Sequence, residues 1–112
     1  MTTTKAGTAT RTIKVWTVVG EQMREFGYKE PNVFLDPVDP GLLSDKDACR
    51  QYEADIPSGL RLAPNRAGRM CLWNGDDRLL VWANHQETYL YISDDPTAYA
   101  DTYRLRLVKE VA

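Results

Sequence analysis

The stretch Arg69-Met70-Cys71-Leu72-Trp73-Asn74-Gly75-Asp76-Asp77-Arg78-Leu79-Leu80-Val81-Trp82-Ala83 reads as two strands joined by a polar turn. Asn-Gly between runs rich in aromatic and branched residues signals a hairpin, because both residues tolerate the positive φ that tight turns require. Side chains in a strand alternate between faces, so each strand splits by parity. With the turn taken as Asn74-Gly75 or as all four residues through Asp77, Trp73 falls on one side with Arg78, Leu80 and Trp82. Met70, Leu72, Leu79, Val81 and Ala83 fall on the other, an entirely apolar set that has to be buried.

Working outward, Asn84-His85 makes a further polar turn and Glu87 to Ser93 a further strand. A two-residue turn sends Thr88, Leu90 and Ile92 to the apolar face and Glu87, Tyr89 and Tyr91 to the opposite one. Upstream, Leu60 to Ala63 is a strand preceding the loop Pro64 to Gly68, and Thr12 to Val19, dense in β-branched residues and ended by Gly20, is another. Tyr103 to Val111 is the last. The same parity places Ile13, Val15, Val19, Leu60, Leu62, Tyr103, Leu105, Leu107 and Val111 on the core side. Val33-Phe34-Leu35 forms a short edge strand within the proline-rich segment Tyr28 to Gly41, whose length marks it as a candidate functional loop.

Two segments carry helix signals. Ser44 followed by Asp47 forms a capping-box pattern, and Ala48, Cys49, Tyr52 and Ile56 recur at three- and four-residue spacing until Pro57 and Gly59 intervene. This predicts an amphipathic, acidic helix over 44–56. Asp94-Asp95-Pro96 offers a cap and a first-turn proline, predicting a short helix over 95–102. The expectation is one α+β domain over residues 11–112, with a mostly antiparallel sheet of about five strands, following a threonine-rich tail over 1–10 that has nothing to bury.

Composition narrows the function classes. The 112 residues are 43% hydrophobic and 27% charged, ordinary values for one folded domain. No apolar run approaches the roughly 20 residues a membrane helix needs, and no secretory signal is evident, which points to a cytoplasmic chain with no membrane partner. A net charge of −2 argues against a protein devoted to coating nucleic acid. The two cysteines, Cys49 and Cys71, lie outside any C-x-x-C or Cys/His pattern, so no metal site and no cofactor is expected, and both thiols are expected free.

The sharpest feature is the composition of the face opposite the core. Lys14, Trp16, Arg61, Arg69, Cys71, Trp73, Arg78, Leu80, Trp82, Tyr89, Tyr91, Arg104 and Arg106 collect there, so all three tryptophans share it with arginines. The helix over 44–56 is expected to cover part of it, with a stripe too narrow to cover all of it. Tryptophan, tyrosine and arginine dominate interface hot spots because they combine large rigid contact area with a polar handle. Trp73, Arg78, Trp82, Tyr89, Tyr91, Arg69, Arg104 and Arg106 are therefore the candidate partner-binding residues. The function expected is a non-enzymatic protein-binding module, an inhibitor or adaptor of the kind that phages and mobile elements direct at a host nuclease or defence complex. One alternative is single-stranded nucleic-acid or nucleotide binding on the same face, by stacking and phosphate neutralisation. Another is a small enzyme with Cys71 as nucleophile, His85 as base and Asp94 or Asp95 orienting it, which would need these groups in contact.

Overall fold

The computed structural model describes residues 9–20, 32–39, 41, 43, 47–95, 97 and 99–111. Among the described residues, ten strands follow one another: β1 (Thr10–Gly20), β2 (Asn32–Phe34), β3 (Asp47–Pro57), β4 (Arg61–Pro64), β5 (Met70–Asn74), β6 (Asp77–Arg78), β7 (Leu80–Ala83), β8 (Tyr89–Ser93), β9 (Asp101–Arg104) and β10 (Arg106–Val111). They form a four-stranded sheet in the order β10-β3-β1-β2 and two three-stranded sheets, β4-β5-β6 and β7-β8-β9. Every pairing is antiparallel.

The expected α+β class is overturned: the described chain is nearly all sheet, and the segment assigned to the main helix is the long strand β3. β3 lies between β1 and β10, pairing with β1 from Thr10↔Pro57 through Gly20↔Asp47. A spacing of four is common to a helix and a strand, so Ala48, Tyr52 and Ile56 satisfy both periods. Ala54 separates them. Tyr52, Ala54 and Ile56 alternate along one face of β3 and all are buried, opposite Val15, Ile13 and Arg11 of β1. Residues 44–46, where the predicted cap begins, lie outside the described residues. The short helix over 95–102 is also absent from what is described: Asp95 caps a turn, accepting the Thr97 N–H at 2.9 Å and the Thr97 hydroxyl at 2.8 Å, and β9 begins at Asp101. Residues 96 and 98 lie outside the described set, as do the predicted tail residues 1–8.

The central hairpin forms, with Asn74 opposite Asp77 and Trp73 opposite Arg78 around Gly75-Asp76. Gly75 has φ 62°, the left-handed value that favours glycine in such a turn. Leu79 then interrupts the strand while its N–H still donates to the Leu72 carbonyl at 2.8 Å, and the chain passes from one three-stranded sheet to the other. This break separates two sheets, and with the four-stranded sheet three stand where a single one was expected.

One core serves all three sheets. Ile13 and Val15 from β1, Tyr52, Ala54 and Ile56 from β3, Leu72, Leu79, Ala83, Leu90, Ile92 and Leu105 form one buried cluster, with Val33, Leu60, Leu62, Val81 and Tyr103 packed against it. Core parity within strands therefore holds for most assigned residues. Two residues of the edge strand β10 depart from it: Leu107 pairs with the core-side Tyr52 yet is 60% exposed, and the bulge between Leu107 and Lys109 shifts the register so that Val111 pairs with Cys49, on the opposite face from Tyr52.

Candidate functional site

The sheet β7-β8-β9 has one face in the core and one facing outward. Val81, Ala83, Leu90, Ile92 and Tyr103 take the inner face. Leu80 and Trp82, Tyr89 and Tyr91, and Thr102 and Arg104 take the outer face, in the register Trp82↔Tyr91↔Thr102 and Tyr89↔Arg104. Trp82 and Tyr91 stack across the strands with ring centroids 5.6 Å apart and planes 23° from parallel. Such cross-strand aromatic pairs stabilise a sheet and also fix each ring in place. Tyr89 remains 40% exposed beside them, and Arg104 and Thr102 are exposed.

The hairpin that carries this face is turned by Asn84. Its side-chain oxygen accepts the N–H groups of Thr88 at 2.8 Å and Tyr89 at 2.9 Å, while the Glu87 N–H closes onto the Asn84 carbonyl at 3.0 Å. Six residues rather than two separate the paired Ala83 and Leu90. The difference is even, so the parity of Leu90, Ile92, Tyr89 and Tyr91 is preserved.

Trp73 occupies the sheet β4-β5-β6, opposite Arg61 on one side and Arg78 on the other. The Arg61 guanidinium lies 5.5 Å from the indole centroid and donates to the Gly75 carbonyl at 3.1 Å, while the indole N–H donates to the Ala63 carbonyl at 2.9 Å. Cation–π attraction and the indole hydrogen bond together fix the half-buried ring in place. Arg69 sits at the start of the hairpin with its guanidinium 5.6 Å from the Phe34 centroid and its Nε 3.6 Å from Asp36.

The eight candidate residues are thus distributed over the three-sheet fold. Trp82, Tyr89, Tyr91 and Arg104 share one face, and Trp73 and Arg78 are cross-strand neighbours on a second sheet. Arg106 lies apart on β10, where its Nη1 and Nη2 donate to the Asp55 carboxylate at 3.0 and 3.1 Å. The hydrogen bonds from Arg106 hold the Asp55 carboxyl below its usual range. Trp16 belongs to the four-stranded sheet and lines a separate cavity with Val38, Cys49 and Val111.

Sequence reasoning missed Glu87. It adopts φ 57° in the turn and its carboxylate is buried, accepting the Thr17 hydroxyl at 2.6 Å, the Tyr52 hydroxyl at 3.1 Å and the Arg50 guanidinium, which also binds Glu110. Burial, followed by the neighbouring Glu87 charge, pushes the Tyr52 phenol up to about 12. The turn over residues 65–68 shows the pattern that could have exposed this residue. Asn65 closes that turn through its side chain, accepting the N–H groups of Ala67 and Arg69, and Gly68 takes the left-handed position at φ 83°. In Asn84-His85-Gln86-Glu87, a glutamate stands where that glycine would, so it bears a backbone cost that its buried contacts offset.

Cys71 lies on β5, its thiol donating to the Arg69 carbonyl just before that strand, whereas His85 is exposed in the turn between β7 and β8 of another sheet. Asp94 and Asp95 lie in the turn after β8. Both cysteines are free, Cys49 buried and Cys71 half-buried. Among the described residues there is no cluster of three or more His, Cys, Asp or Glu able to hold a metal ion, and no helix long and apolar enough to cross a membrane. Compared with protein-family models, curated proteins and solved structures, the chain matches none.

Proposed function

We propose that this chain is a non-catalytic protein-binding module, an inhibitor or adaptor, whose contact surface centres on the outer face of the β7-β8-β9 sheet. The observation that carries the reading is the stacked Trp82–Tyr91 pair, set on that face beside exposed Tyr89 and Arg104. Rigid aromatics lose little entropy when a partner seats on them, and an adjacent arginine supplies directional polar contacts. Residues 47–56 of the segment expected to form a covering helix are instead part of strand β3. Trp73, fixed under Arg61 beside Arg78, provides a second aromatic–arginine unit on the adjoining sheet.

The test compares affinity captures from native cells by wild-type chain, by Tyr89→Ala and by Arg104→Ala, with nuclease-treated and untreated samples in parallel. The expected result is a protein retained by the wild type in both samples and weakened by each variant while the melting temperature stays within a few degrees. Retention of nuclease-sensitive nucleic acid, with affinity falling steeply as salt rises, would instead establish the stacking-and-phosphate alternative.

A further inference from the structure

Three strand edges meet at one place on the surface. β2 ends the four-stranded sheet, β6 ends the sheet β4-β5-β6, and β7 ends the sheet β7-β8-β9. Val33 and Phe34 of β2, Arg78 of β6, and Leu80 and Val81 of β7 line a single cavity of about 270 Å³ between them. Among the described residues, β2 pairs only with β1, β6 only with β5, and β7 only with β8. Each of the three strands is therefore the edge of its sheet among the described residues, and free sheet edges are what extended peptides complete by adding a strand.

The walls and the rim differ in chemistry. Leu72 and Leu79, both buried core residues, form the floor, so the cavity is an opening of the apolar core itself. At the rim stand two arginines against one carboxylate. Asp36 accepts the Met70 N–H at 2.9 Å and is 3.6 Å from Arg69, whereas Arg78 makes no ion pair among the described residues. The volume lies just under the roughly 300 Å³ at which small-molecule pockets begin, so it suits one or two side chains of a larger partner better than a whole ligand.

We infer that this groove receives an extended peptide segment of the partner, one that inserts an aliphatic or aromatic side chain and places a carboxylate beside it against Arg78 and Arg69. The inference rests on the protein-binding reading and names the partner's chemistry. Leu80, which lines the groove, lies two residues from Trp82 on the same strand face, so the groove opens onto the aromatic surface.

The experiment is selection of a random heptapeptide phage library on the full chain, followed by titration of the recovered peptides against wild type, Arg78→Ala, Arg78→Glu and Tyr91→Ala. The expected consensus has Asp or Glu within two positions of Leu, Ile or Phe. Arg78→Ala is expected to weaken those peptides at least about tenfold, and Arg78→Glu further, with melting temperatures close to wild type. N-methylation of alternate backbone amides is expected to abolish binding, and retained binding overturns strand addition. No enrichment, a consensus lacking acids, or peptides insensitive to both Arg78 variants overturns the groove. Peptides lost with Tyr91→Ala but indifferent to Arg78 overturn it while leaving the protein-binding reading standing; that reading fails separately, through nuclease-sensitive capture.

Discussion

Glu87 accepts the Thr17 hydroxyl at 2.6 Å, joining the β7–β8 turn to β1 across 70 residues of chain. Tyr52 and Arg50 of β3 bind the same carboxylate, so one side chain ties the hairpin of the aromatic face to both central strands of the larger sheet. Removing a buried acceptor leaves its donors without partners at a cost of about 1 to 3 kcal/mol each, more where a charge is involved. Glu87→Ala is expected to cost about 3 kcal/mol in urea unfolding. Glu87→Gly should cost about 1 kcal/mol less than Glu87→Ala, because it relieves the left-handed backbone at φ 57° while losing the same contacts. Equal losses would show that the backbone carries no strain there.

Tyr52 links that network to alkaline stability. Its folded value of about 12 lies above the unfolded value near 10, so the folded state holds the phenolic proton more tightly. The corresponding stability is fully present below pH 10 and falls as pH rises from 10 toward 12. Urea midpoints between pH 9 and about 11.5, measured alongside tyrosinate absorbance, should drop across this window for wild type and more shallowly for Tyr52→Phe. Parallel curves would remove Tyr52 as the group responsible.

Leu72 is completely buried in the shared core and Leu90 equally so. Leu72→Ala should destabilise by about 2 to 5 kcal/mol, the range for deleting a buried leucine side chain and leaving a cavity. Leu107→Ala serves as the contrast: on the exposed edge of β10 it should change stability by no more than about 0.5 kcal/mol. Guanidinium titration of both variants checks the assignment, and a large loss at Leu107 would mean that its side chain is covered rather than exposed.

The two free thiols should react at different rates. Burial raises the Cys49 pKa and removes the thiol from solvent, whereas Cys71 is only half-buried. A chromogenic disulfide reagent is expected to titrate Cys71 first in the folded chain and Cys49 only as the chain opens, with two equivalents in denaturant. Cys71→Ser should remove the fast phase. Loss of the slow phase instead would reverse the two environments.

The two faces of the strands β5, β7 and β8 were legible in the amino-acid sequence alone, whereas the strand content was not: about five strands and a main helix were expected where ten strands are described. The register of the β7–β8 hairpin could be misjudged by four residues without moving Leu90 or Tyr91 to the wrong side, because parity changes only with odd displacements. The hairpin around Gly75 and the burial of Leu72 and Leu79 follow from the same local rule. Tertiary structure decided the rest. Residues 47–57 carry spacings of four that suit either period, and the presence of β1 and β10 on either side, which receive the backbone groups of both edges, selects the extended form. Division into three sheets also required the whole fold, since the break at Leu79 has no marker in a run of apolar residues. Glu87 depended on it most: a glutamate in a polar turn is unremarkable until Thr17, Arg50 and Tyr52 from two distant strands converge on its carboxylate.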